Sequence, residues 1–122
     1  MSPSEFDALV EKALKAIPAR FRRRLHNVAL VVEQEPPRPG LLGLYQGRPL
    51  TTRHVGDGFT MPDLITIYQR PHERMARDRQ HLEKLLEETV WHEVAHYFGM
   101  DERGVRLAEK RRAGMRRRSI DG

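Results

Sequence analysis

Along the chain, apolar positions come in clusters whose spacing changes from helical to extended and back. Phe6, Leu9, Val10, Ala13, Leu14 and Ile17 recur at three- and four-residue intervals, the period of a helix that buries one face. Ser2 offers a hydroxyl cap ahead of Pro3 and Glu5, and Pro18 forbids continuation. The pattern therefore predicts a helix ending near Ala16, with Phe6 and Leu14 in the core. Ala19 to Leu25 predicts a further helical turn, with Phe21 and Leu25 inward. Val28-Ala29-Leu30-Val31-Val32 is a continuous apolar run bounded by Asn27 and by Pro36-Pro37, which predicts a buried strand. Glu33 and Glu35 follow and read as strand-end charges, with lining a cleft as the competing role, and Pro36 to Gly40 is a stiff loop.

Leu42-Gly43-Leu44-Tyr45 predicts a short second strand that turns at Gln46-Gly47. Pro49 to Met61 has little periodicity and reads as a loop, with His54 a surface histidine in it. Leu64-Ile65-Thr66-Ile67-Tyr68 alternates and predicts a third strand. His72 to Arg79 reads as charged, solvated spacing. Leu82, Leu85, Leu86, Val90, Val94 and Phe98 then keep close to a 3.6-residue period and predict a long helix over Gln80 to Phe98. A last helix is expected from Asp101 to about Arg112, with Val105, Leu107 and Ala108 inward. The sum is a single α+β domain over residues 1–122: a small, mostly three-stranded sheet packed on the long helix, with helices flanking it.

At 122 residues the length allows one core and not two. There are no cysteines, so neither a disulfide framework nor a thiolate metal site is possible. The N-terminal residues are polar and acidic where a signal peptide would be basic and then apolar, and no apolar run is long enough for a bilayer. A cytoplasmic protein without membrane contact is expected. Nothing in the pattern sets an oligomeric state. The formal charge of +5 is concentrated in two clusters, Arg20, Arg22, Arg23 and Arg24, and a basic tail from about residue 110 with Lys110, Arg111, Arg112, Arg116, Arg117 and Arg118. Such clusters can make weak contact with polyanions, but there is no aromatic interleaving. A solvated helix end and tail is the preferred reading.

The chemistry is concentrated in His92-Glu93-Val94-Ala95-His96, followed by Gly99 and Glu102. Side chains four apart lie one above the other on a helix, so His92 and His96 can direct two imidazoles at one ion. Glu93 projects beside them, where a carboxylate can act as general base on a water without being a ligand. Gly99 stands where the helix should stop, because glycine accepts the left-handed conformation that turns the chain. Glu102 lies ten residues after His92, the spacing at which H-E-x-x-H-x-x-G-x-x-H places its third ligand. Tyr68 and Tyr97 are candidate donors to an oxyanion, with packing as the competing role. Met100 and Met115 read as packing residues. The competing reading of the whole stretch is an ordinary amphipathic helix whose histidines face solvent.

With these residues in place, the chain resembles the minimal zincin-like family of small bacterial metallopeptidases, built around H-E-x-x-H-x-x-G-x-x-D/E. The resemblance extends upstream to the N-V-A-L-V-V-E, L-L-G-L-Y-Q-G and L-I-T-I-Y segments. It implies a zinc ion held by His92, His96 and Glu102, Glu93 as catalytic acid/base, and a peptide or protein substrate. It also implies an edge strand beside the motif helix that pairs with extended substrate, for which Leu64–Tyr68 is the candidate, with a plain sheet strand as the competing reading. The chain has Glu102 where the family commonly has Asp, with Asp101 just before it; Asp101 and Glu109 are the rival ligands. Two other functions fit the same residues: a metal-binding peptide-binding or regulatory module without efficient turnover, and a nucleic-acid-associated protein whose zinc is structural.

Overall fold

A computed structural model describes residues 1–47 and 62–99 of the chain. The Ser2 hydroxyl accepts the Glu5 N–H at 3.2 Å and starts α1 (Pro3–Lys15), while Ala16 closes it ahead of Pro18. α2 (Ala19–Arg22) is one turn that brings Phe21 against Trp91, ring centroids 5.3 Å apart. Asn27, at φ +53°, turns the chain into β1 (Val28–Glu33). After the proline loop come β2 (Gly43–Gln46), β3 (Asp63–Tyr68), α3 (Gln69–Met75) and the long α4 (Arg79–Tyr97).

The sheet order is β1-β3-β2, with β3 parallel to β1 and antiparallel to β2. Val31 pairs with Thr66 and Leu44 with the same Thr66 from the other side. α1 and α4 pack together, and α4 also covers β2 and β3. Phe6 and Val10 of α1 meet Ile65 and Ile67 of β3 and Leu86, Val90 and Val94 of α4 in one buried cluster. The architecture is the expected α+β one, a small mixed sheet with helices.

Two features differ from the sequence reading, the placement of the strands and the helix that follows them. The continuous run of β1 is only half-buried, because β1 is an edge strand. The alternating run of β3 is the central strand and is buried on both faces, so it has no free edge for a substrate. A strand's place in the sheet is set by tertiary pairing, and here β3 inserts between the two earlier strands.

The second difference is α3, which replaces the expected solvated spacing. Its first turn tolerates Pro71 because that position has no intrahelical N–H partner to lose. It buries Gln69 and His72, neither of which an apolar period reveals. The loop from Pro49 to Met61 with His54, the helix from Asp101 to about Arg112, Met100, Met115 and the basic tail lie outside the described residues.

Candidate metal centre

The Asp78 carboxylate accepts the His81 N–H at 2.8 Å and caps the start of α4. At the other end Phe98 closes the helix. Gly99 follows at φ +80° with its N–H on the His96 carbonyl at 2.9 Å, so the left-handed stop read from the sequence is in place. The last turns of α4 are buried on most sides: Val90, Trp91, Val94, Ala95 and Tyr97 all lie inside. His92 and His96 form the half-buried strip between, and Glu93 beside them is 5% exposed.

The two imidazoles converge. His92 Nε2 and His96 Nε2 stand 3.2 Å apart, with ring centroids at 4.8 Å. Two nitrogens ligating a tetrahedral zinc at 2.0–2.1 Å are separated by about 3.3 Å, so the donor pair already has the spacing that such an ion needs. Ligand atoms of His92, Glu93 and His96 lie within 4.8 Å of one another, a group able to hold a metal ion. Two imidazoles and a nearby carboxylate suit zinc, and the chain has no cysteine to favour a softer ion.

These residues open onto a cleft of about 600 Å³ between α4 and β2. Gly43, Leu44 and Tyr45 form one wall; Thr89, His92 and Glu93 belong to the other. β2 and α4 run in the same direction, since Gly43 lies against Thr89 and Glu93 while the Tyr45 ring meets Tyr97 further along, at 6.3 Å. Among the described residues β2 has a strand neighbour only on its β3 side. The strand beside the motif helix with an edge toward the cleft is thus β2, in place of the Leu64–Tyr68 strand expected from the sequence.

Behind the wall, a buried polar pair ties α3 to α4. His72 is fully buried, and burial pushes its imidazole below the ordinary histidine range, so it is neutral near pH 7. Neutral His72 has one ring proton, which Nδ1 donates to the Tyr68 carbonyl at 2.6 Å. Nε2 is left to accept from the Thr89 hydroxyl at 2.8 Å, while the Leu85 carbonyl stands 3.0 Å from the same oxygen. Thr89 is four residues before Glu93, hence on the same helix face. Sequence reasoning missed Thr89, His72 and Gly43 as parts of the site. Helical spacing back from Glu93 points to Thr89, and a glycine inside a strand pattern points to close backbone approach; His72 gives no such signal.

Of the two tyrosines, Tyr97 is engaged elsewhere. The Tyr97 hydroxyl accepts the His26 N–H at 3.2 Å and faces the Arg24 and His26 carbonyls, so it pins the entry to β1 onto α4. Tyr68 is buried, and burial together with the charges of Glu33 and Glu93 pushes its phenol up, which keeps it protonated. Glu35 forms a two-pronged pair with Arg74, at 2.9 and 3.1 Å, as an exposed strand-end charge. Glu102 and its rivals Asp101 and Glu109 lie outside the described residues.

Fold, motif helix and paired imidazoles agree with what the chain's relatives are. The chain belongs to the zincin-like metallopeptidase family, whose sequence profile matches residues 25–112. That span takes in the whole sheet, α3 and α4. No curated protein shows significant similarity to the chain. Members of such a family use a metal, typically zinc, and His92, Glu93 and His96 form the cluster that can hold one here. No helix among the described residues is long and apolar enough to cross a membrane.

Proposed function

We propose that the protein is a zinc-dependent peptidase in which His92, His96 and Glu102 hold the ion and Glu93 is the general base. The observation that carries this reading is the 3.2 Å approach of His92 Nε2 to His96 Nε2, beside a buried Glu93 and facing the β2 wall of the cleft. When bound, zinc lowers the pKa of a water and supplies positive charge where a tetrahedral oxyanion develops.

The chain's own groups do the rest. Glu93 takes a proton from the attacking water at a carboxylate oxygen and returns it to the leaving amine. An extended peptide seats on the outer edge of β2, whose backbone N–H and C=O groups give main-chain hydrogen bonds independent of side chains. The α4 surface and the β2 wall hold the peptide between them and reduce water around the reacting carbonyl. The test is metal content together with an unbiased peptide-library cleavage assay. About one zinc per chain, lost in His92→Ala and in His96→Ala, with cleavage of some peptides, supports the reading; metal that survives both substitutions places the site elsewhere.

A further inference from the structure

The cleft continues past the metal-binding turns toward the start of α4. Leu85, Glu88, Thr89, His92, Glu93 and His96 follow one another at intervals of three, one, three, one and three, a single strip along the helix. Leu85 and Glu88 also border the next depression along α4, with Lys84 and His81, so the groove does not stop at the metal centre. Among the described residues Glu88 is the only carboxylate of the cleft besides Glu93; it is exposed, and no described residue forms an ion pair with it. Leu85, Leu42 and Leu44 supply apolar surface in the same cleft.

We propose that Glu88 selects a lysine or arginine on the C-terminal side of the bond to be cleaved. This rests on the peptidase reading above. A long basic side chain suits an apolar wall ending in one carboxylate, since its methylenes cover the leucines while its charge reaches the acid.

Direction follows from the fold. α4 runs parallel to β2, and a peptide that adds to β2 in the antiparallel sense, the more stable pairing, runs from the His96 end toward the Leu85 end. Residues after the scissile bond then lie along Glu88. From the midpoint of the two histidines to Glu88 is about 9 Å of helix, or roughly two to three residues of extended chain. Arg38, on the opposite wall ahead of β2, repels further cations and confines the preference to the residue seated against Glu88.

The probe is a set of short peptides bearing an N-terminal hydroxamate, which chelates the ion and leaves the following residues on the downstream side. Lys, Ala or Glu is placed in turn at each of three downstream positions, and dissociation constants are measured on the zinc-loaded full chain. A partly solvated ion pair gives about a three- to fivefold preference for Lys over Glu at one position. The preference should shrink in high salt and invert in Glu88→Lys, an exposed substitution whose folding a thermal melt checks.

Equal affinities, a preference that Glu88→Lys leaves unchanged, or no binding of any hydroxamate by zinc-loaded protein would each overturn the proposal. Library cleavage separates the two ideas. Peptides cut without any downstream charge preference sink the role of Glu88 and leave the peptidase standing. An invertible preference in binding with no peptide cut keeps the role of Glu88 and removes the hydrolysis.

Discussion

The backbone of Gly43 in β2 lies directly against the side chain of Glu93: a methyl group on Gly43 would stand 3.1 Å from Glu93 Cγ and 2.9 Å from Thr89 Cγ2. Those neighbours cannot easily give way. Thr89 is buried and β-branched, with its hydroxyl held at His72 and Leu85, and the Thr66 carbonyl closes the third side at 3.3 Å. Glu93, the proposed general base, and the strand proposed to carry substrate are therefore spaced by the absence of one side chain. Gly43→Ala should destabilise by about 1–3 kcal/mol, as overpacking does, and should lower catalytic efficiency by shifting β2 from Glu93. Denaturant unfolding and peptide cleavage check it; a variant equal to wild type in both would mean that the wall relaxes freely.

His72 makes stability depend on pH. Its folded pKa is depressed by burial below the ordinary value near 6.5, so the unfolded chain takes up its proton first as pH falls. The stabilisation from neutral His72 is complete above pH ~6.5 and is lost as pH falls from there through the folded pKa. The slope reaches at most about 1.4 kcal/mol per pH unit. Unfolding of metal-free protein between pH 7.5 and 5 should show this, and His72→Gln should be less stable at pH 7.5 yet flatter across the window. An unchanged slope in His72→Gln would assign the pH dependence to other groups.

Much of the centre was legible in sequence because its logic is local. Gly99 ends α4 where a left-handed stop was expected, although the Asp78 cap was read as solvated spacing, and the four-residue spacing of His92 and His96 needs only helical geometry. The order of strands was not legible: β1 has the more continuous apolar run yet lies at the edge, while β3 alternates and is central. Pairing partners decide that, and they are distant in sequence. α3 escaped for another reason. Its buried face is made of Gln69, bonded to Gln34 and to the Met1 carbonyl, and of His72, so polar groups satisfied inside the protein took the places that an apolar period would mark.

Glu93→Gln tests the base separately from the ion. The amide keeps the size and shape of the carboxylate but cannot accept the water's proton, so zinc content should match wild type. Cleavage should fall by about 10²- to 10⁴-fold, the usual contribution of a general base. Metal analysis alongside single-peptide kinetics reads both, and a fully active variant would remove Glu93 from the mechanism.

Polyanion binding should be weak and steeply salt-dependent. Part of the first arginine cluster is already committed, with Arg22 Nε donating to the Ile17 carbonyl at 2.8 Å and Arg20 lying 5.0 Å from the Phe21 ring centroid. Titration of duplex and single-stranded nucleic acid between 50 and 200 mM salt should show affinity collapsing without sequence preference. Tight, sequence-selective binding that survives high salt would restore the nucleic-acid reading.

Glu102, rather than Asp101, is expected to complete the metal site. The helix stops at Phe98 and Gly99 turns in the left-handed conformation, as a chain must do to bring a later residue back toward His92 and His96. Glu102 stands ten residues after His92, the spacing of the third ligand in the related motif, and it has the longer reach. Asp101 has a competing role at the start of the helix expected to follow, where a short carboxylate caps exposed N–H groups and contributes about 1 kcal/mol. Glu102 as a mere first-turn acid would matter only through the helix dipole. Glu102→Ala should therefore weaken zinc affinity by a large factor while Asp101→Ala mainly lowers the melting temperature. Competition with a chromophoric chelator and a thermal melt separate the two effects. If Asp101→Ala strips the metal and Glu102→Ala keeps it, the ligand is one residue earlier and the turn after Gly99 is tighter than that spacing implies.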